Sequence, residues 1–273
     1  MSDAVVLTPH TTLTQDLDAA SVAPDRLATL GEREIAGLPV WYGRQRASLG
    51  DFFDVRGERA DRVRIEGDAA RVHDLGRGMQ AGELVVAGDV GRSAGARMTG
   101  GTLVVHGDAG DDAGVEMAGG VLCVRGRAGD NVGGATAGGS RGMRGGEIVV
   151  RGAVGANAGA LVRRGLVVAG GNAGEGAGRG MIAGTVIVFG TLGHSAALWS
   201  KRGTLVAMCG VEVPPTYNYA CTYRPPHVAL TLTYLRQRYA LAVEDCQVTG
   251  LYRRYSGDMA ELGRGEILEW IES

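Results

Sequence analysis

The side chains best suited to chemistry are few in this chain and stand far apart. Its histidines are His10, His73, His106, His194 and His227, and its cysteines are Cys123, Cys209, Cys221 and Cys246. The cysteines form no CxxC pair, and the histidines are scattered without Asp, Glu or Cys at the spacing of a metal-ligand set. His194, in GTLGHSA near Trp199, therefore reads as a local hydrogen bonder and not as a base or ligand. A further candidate is the loop NVGGATAGGSRGM, residues 131–143, whose glycines with Arg141 and Arg144 could cradle an anion through backbone N–H groups. It has no GxxxxGK[ST] pattern and no strand feeding a helix, so a bulging or docking loop is the favoured reading. The expectation is a chain with no catalytic residue, no cofactor-binding residue and no metal ligand of its own.

What the sequence does specify is a repeat. Of its 47 glycines, 37 fall between Gly76 and Gly210. Strand-like units open at Gly82, Gly101, Gly120, Gly146, Gly165, Gly184 and Gly203, in steps of 19, 19, 26, 19, 19 and 19 residues. A second glycine follows nine positions on (Gly91 to Gly193) and a third at thirteen (Gly95 to Gly178), with Ala197 breaking that last column. RVRIEG at 62–67 is a weaker opening unit. Nineteen residues hold one five-residue strand and no helix, because glycine at this density costs about 1 kcal/mol per position inside a helix. The fold class expected is all-β: a parallel β-helix (β-solenoid) of ~19-residue glycine-rich coils, flanked by small capping segments.

Side-chain columns support this reading. Leu84, Leu103, Leu122, Ile148, Val167, Val186 and Leu205 form one column, and Val86, Val105, Val124, Val150, Ala169, Val188 and Ala207 another. Period two places both in the lumen. Met79, Met98, Met117, Met143 and Met181 share a register and should fill a corner of the same core. Between the two columns stand Val85, Val104, Cys123, Val149, Val168, Ile187 and Val206, facing outward. An apolar stripe of that length must be covered, either by the chain's own termini or by another subunit.

The flanks differ in kind, giving expected units of 1–60 (N-terminal cap), 61–210 (glycine-rich β-helix) and 211–273 (C-terminal cap). A short helix is expected over 23–31, with Pro24 in its first turn and Gly31 at its end. Trp41, Tyr42, Phe52 and Phe53 should cap the first coil or meet a partner, with Arg44, Arg46 and Asp51 as an interface rim or, preferably, a solvated face. HVALTLTYLRQRYA, residues 227–240, is ambiguous between strand and helix, and helix is preferred. GLYRRYSGDMAELGRGEILEW, residues 250–270, reads as strand, turn, strand.

The chain has 273 residues and a formal net charge of -2, so it offers no broad basic field for nucleic acid. It has no run near the ~20 apolar residues of a membrane span and no signal-peptide pattern at its start. The expectation is a cytoplasmic chain with reduced thiols and neither nucleic-acid nor membrane partners.

The repeat, GxLVVxGxxGxxxGxxMxGG, resembles the glycine-rich solenoid shared by the C subunit of formylmethanofuran dehydrogenase and the glutamate synthase C-terminal domain. LPVWYGRQRASLGDFFDVRG at 38–57, NVGGATAGGSRGMRGGEIVVRG at 131–152 and RRYSGDMAELGRGEILEW at 253–270 are similar to the former, the formylmethanofuran dehydrogenase C-subunit family, in particular. Lys201 is the sole lysine, and this Arg-rich composition resembles the bacterial version, from the formyltransferase/hydrolase complex of methylotrophs. The resemblance implies a scaffold role in one-carbon metabolism (formaldehyde oxidation). The complex would move formyl from formyl-tetrahydromethanopterin to a methanofuran analogue and release formate. The implied partners are amidohydrolase-like, formyltransferase-like and dehydrogenase-B-like subunits, with any metal ions held in another subunit. A glutamate-synthase-like bridging module and a component of a true formylmethanofuran dehydrogenase remain the alternatives. So does an independent carbohydrate-active β-helix enzyme, although no carboxylate cluster recurs at stacked positions.

Overall fold

A computed structural model describes residues 4–272. The chain is mostly strand with few helices, an all-β protein. Thirteen strands form one mixed sheet, in the order Asn218–Tyr223, Leu251–Gly257, Arg264–Ile271, Arg202–Ala207, Thr185–Val188, Leu166–Ala169, Glu147–Val150, Gly119–Val124, Thr99–Val105, Glu83–Val86, Arg62–Ile65, Val5–Pro9 and Phe53–Arg56. Pairing is parallel from Arg264–Ile271 through to Val5–Pro9 and antiparallel at both ends. The ladder thus extends one strand beyond the repeats at each side. Val5–Pro9 pairs in parallel with Arg62–Ile65, and Arg264–Ile271 with Arg202–Ala207.

Each repeat contributes one strand in strict register: Leu84 faces Leu103, which faces Leu122, then Ile148, Val167, Val186 and Leu205. Both inward columns and all five methionines are buried. A second parallel ladder of single bridges joins Ala69, Val90, Ala109, Ala128, Val154, Ala173 and Leu192, of which Val90 to Leu192 each stand eight residues past their unit's glycine. These mostly small apolar side chains pack into the same buried cluster as the inward columns.

The corners explain the thirteenth-position glycines. Gly95, Gly114, Gly133, Gly159 and Gly178 all have φ between 65° and 68°, and Ala197 takes 57° in the same column. An L-residue in this left-handed region costs about 1–2 kcal/mol. Most of these sites also lack room. A Cβ at Gly114 would lie 2.4 Å from Ile148 Cδ1, whereas at Gly178 the nearest atom is 3.7 Å away.

Four further strands, Gln45–Ser48, Pro39–Tyr42, Leu17–Asp18 and Val72–His73, make a small second sheet against the first coils. The helix expected over 23–31 is instead two short ones, Pro24–Leu27 and Glu32–Ala36. Gly31 does not end the first but caps the second, its N–H held by Glu34 Oε2 at 2.8 Å. HVALTLTYLRQRYA is helical over Pro226–Tyr239, with Pro226 at its start, where a missing N–H costs nothing. Its β-branched Thr231 and Thr233 return their hydroxyls to the carbonyls four residues back.

Candidate functional site

The outward column is covered in part, and by the chain itself. Val149, Val168, Ile187 and Val206 are fully buried in a second apolar cluster with Val228, Leu232 and Leu235 of the Pro226–Tyr239 helix. Fourteen residues make a helix of about 21 Å. The layers Glu147, Leu166, Thr185, Thr204 and Glu266 span four strand spacings, about 19 Å, so the helix matches the stretch it covers. Its ends are fixed to those outer layers. His227 lies 3.9 Å from Glu266 at one end, while Tyr234 donates to Glu147 Oε1 and Oε2 and Tyr239 to Glu147 Oε2 at the other. Arg151 closes the end on the Tyr239 carbonyl at 2.6 Å. Burial and the Glu147 carboxylate push the Tyr239 phenol far above its ordinary pKa, so it stays a donor. Val85 and Val104 lie beyond this cluster and Cys123 packs at its edge; all three are half-buried. The choice between termini and partner therefore resolves toward the C-terminal flank for four of the seven positions.

The 131–143 loop does not present a free anion cradle. Thr136 donates both its N–H and its hydroxyl to Glu116 Oε1, and Arg97 holds Glu116 Oε2 at 2.9 Å. The Thr136 hydrogen bonds, with Arg97, lower the Glu116 acid below the usual carboxylate range, so a negative charge sits beneath the loop. Asn131 adds bonds to Asp112 Oδ1 and to the Ala135 carbonyl. Arg141 and Arg144 line an open hollow together with Glu116 and Ser140. These contacts fit a pinned surface loop.

One polar cleft of ≈ 610 Å³ brings together residues the sequence left scattered. Trp41, Arg44, His73, Arg77 and Arg92 line it with Asp16, Asp18 and Asp74. His73 Nδ1 accepts the Arg92 N–H at 2.8 Å, and its Nε2 faces Asp16 Oδ2 at 3.2 Å. That contact, by hydrogen bond and then charge, lowers the Asp16 acid below its ordinary range. Burial raises the Asp74 acid against the pull of Arg77, 3.0 Å away. Asp16, just before Leu17–Asp18, and His73, 57 positions on, are brought together by the short parallel pairing of Leu17–Asp18 with Val72–His73, and nothing in their sequence spacing announces the meeting. The cleft's charges are largely paired within the chain, which suits holding the N-terminal sheet to the coils.

The other histidines are solitary. His194 is exposed and bonds Glu212 at 2.6 Å, which is the local hydrogen-bonding role its surroundings suggested. His10 bonds Thr11, and His106 stands exposed on the sheet, where desolvation lowers its pKa. All four cysteines are free thiols. Among the described residues, no three His, Cys, Asp or Glu side chains converge as a metal site, and no helix is long and apolar enough to cross a membrane.

Comparison with known proteins places this geometry. No family model matches the chain. Over 97 residues it is 36% identical to the C subunit of the tungsten-containing formylmethanofuran dehydrogenase 2 of Methanothermobacter marburgensis, an alignment spanning 34% of this chain and 36% of that protein. Over 80 residues it is 36% identical to the C subunit of the formyltransferase/hydrolase complex Fhc of Methylorubrum extorquens, covering 29% of this chain and 30% of that one. These alignments thus span about a third of either relative's length. The structural match is far longer. The chain superposes on one from the crystal structure of the Methylorubrum extorquens formyltransferase/hydrolase complex (FhcABCD) with methylofuran, at a TM-score of 0.88 and 36% identity, covering 98% of this chain and 100% of the other. The chain belongs to the formylmethanofuran dehydrogenase C-subunit family, which includes the C subunit of the formyltransferase/hydrolase complex.

Proposed function

We propose that this chain is a structural subunit of a formyltransferase/hydrolase complex. In this reading the complex transfers formyl from formyl-tetrahydromethanopterin to a methanofuran-like carrier and releases formate, and the chemistry belongs to amidohydrolase-like and formyltransferase-like subunits. The observation that carries it is the end-to-end likeness to a chain of the FhcABCD complex at 36% identity, against matches to the archaeal dehydrogenase relatives that span about a third of the chain. The apolar packing agrees with a scaffold: two columns of aliphatic side chains and five methionines are buried, all but Ala207 together in one core. We read the parallel ladder with its second bridge ladder as a parallel β-helix over 61–210, with 1–60 and 211–273 serving as its caps. The chain is further read as cytoplasmic.

The test is purification of the tagged full chain from its native host, with identification of whatever accompanies it. Relatives of the formyltransferase and hydrolase subunits should co-purify. The lone chain should neither turn over formyl-tetrahydromethanopterin nor hold stoichiometric metal. A lone chain that hydrolyses the substrate, or that retains one metal ion per chain after dialysis, would overturn the scaffold reading.

A further inference from the structure

Three large apolar side chains lie exposed around one turn at the C-terminal end of the ladder: Trp199 at 46%, Met259 at 52% and Leu262 at 56% relative exposure. The turn they share is built, not loose. Asp258 is fully buried at its centre, where Oδ2 accepts the Trp199 N–H at 2.8 Å and Oδ1 the Ala260 N–H at 2.9 Å. Its carbonyl accepts the N–H groups of Glu261 and Gly263, and the Met259 N–H reaches the Thr216 carbonyl at 3.0 Å. A buried carboxylate is costly unless hydrogen-bonded, and here its bonds fix the backbone that displays the three side chains. Arg179 lies 4.3 Å over the Trp199 ring in a cation–π contact.

The rim of this patch is basic. Lys201 sits in the coil-edge position occupied by Arg163 two coils earlier. Each donates its N–H at 2.8 Å to the carbonyl of a core methionine, Met181 and Met143 respectively. Arg202 pairs in register with Arg264 in the next strand. Arg163, Arg164, Lys201, Arg202 and Arg264 are all exposed, and among the described residues none has a carboxylate within the 4.0 Å of an ion pair. Apart from the buried Asp258, Glu261 is the one acid of the turn. A chain with net charge -2 thus concentrates unpaired cations around its exposed aromatic and methionine side chains.

We infer that this patch is a protein-docking surface, and that its occupant is a partner subunit presenting an apolar centre within an acidic rim. This rests on the subunit reading given above. Aromatic, Met and Arg side chains on a preorganised backbone are the composition of an interface centre, and an unpaired charged rim steers a partner of opposite sign. A second copy of the chain is disfavoured, because a two-fold contact would set five cations against five.

The test uses the tagged full chain with the subunits that co-purify with it. Oxidative footprinting compares Trp199 and Met259 in the lone chain and in the complex, and two variants, W199A/L262A and K201E/R202E, are assayed for association. Both side chains should be protected in the complex, and each variant should bind at least tenfold more weakly while keeping wild-type circular dichroism. Wild-type affinity should fall between about 50 and about 300 mM salt, and that dependence should flatten in K201E/R202E. If partners co-purify but Trp199 and Met259 remain as oxidisable in the complex as alone, the patch is not the interface and the subunit reading stands. If the lone chain self-associates through the patch, the acidic-partner assignment is wrong. If no partner protein accompanies the chain, both readings fail together.

Discussion

Replacing Val149 and Val168 by Asp should detach the Pro226–Tyr239 helix while leaving the parallel ladder intact. Both valines are wholly buried between the sheet and that helix. Losing them as apolar contacts costs about 1.5–3 kcal/mol each. Leaving an uncompensated charge in place of each adds several kcal/mol more. The total exceeds ~6 kcal/mol, comparable to the whole stability of many domains, ~5–15 kcal/mol. Against this stand the helix's polar anchors: Tyr234 and Tyr239 on Glu147, and Arg151 on the Tyr239 carbonyl. As bonds to charged groups they contribute about 1.5–3 kcal/mol apiece, which offsets part of the loss but does not restore the apolar seat or pair the two buried charges. The lumen columns face the opposite side of the same strands and lose nothing directly. Hydrogen exchange should therefore show the amides of 226–239 losing protection, with those of the strands from Glu83 to Ala207 retaining it. An Asp held in an apolar site has a raised pKa, so the defect is present above that pKa and recedes as pH falls through it and the carboxyls become neutral. Wild-type protection across 226–239 in the double variant at neutral pH would refute the claim that the helix is a cover seated on an apolar stripe.

Further outcomes follow from the core and the corners. Leu122→Ala, at a fully buried rung, should lose about 2–5 kcal/mol in chemical denaturation; under ~1 kcal/mol would mean that the column is not core. Gly178→Ala and Gly159→Ala share a left-handed backbone, but only the second drives a Cβ to 2.5 Å from Val186 Cγ2. The first should cost about 1–2 kcal/mol and the second clearly more, read as the difference between their denaturation midpoints. The Glu116 acid is lowered in the fold, so its contribution to holding the 131–143 loop is complete above the unfolded value of about 4.3 and is lost as pH falls through the folded one. Loop amides should gain exchange below about pH 4 in the wild type, and Glu116→Ala should show that faster exchange already at neutral pH.

The periodic part of the fold was legible because each column repeats a single translation along the stack. Once Leu84 and Leu103 are assigned to one face, the step of 19 carries the assignment to Leu205. The same logic holds for the small column from Ala69 to Leu192 and for the acids at the coil corners, both of which went unread. Asp89 Oδ1 accepts the Asp108 N–H at 2.7 Å, and Asp108 Oδ1 accepts that of Arg127, each 19 residues on. The signal was the Gly-Asp pair at 67–68, 88–89 and 107–108, which the later coils replace with Arg127, Ala153, Asn172 and Thr191 after the glycine. What lay beyond reach were meetings without a period. His73 finds Asp16, Asp258 finds Trp199, and the helix finds the second half of the stripe through folding of the flanks, which no repeat in the sequence encodes.

The seven extra residues of the long coil show how tolerant such a stack is when an insertion falls at a corner. Gly133 keeps the left-handed φ of its column, 67°, so the chain enters the insertion as it enters every other corner. It leaves through Met143, whose N–H returns to the Gly133 carbonyl at 2.8 Å and closes the excursion as a loop. The next residue, Arg144, then donates to the Met117 carbonyl at 2.6 Å, the bond that Thr99 makes to Met79 and Lys201 makes to Met181. Register is recovered within two residues, and Leu122 still faces Ile148. Closing a longer surface loop costs little extra entropy, whereas one residue added inside a strand would turn Ile148 and Val150 out of the lumen. That difference is why the insertion lies at 131–143, between two corner positions, and not within the Gly119–Val124 or Glu147–Val150 strands on either side of it.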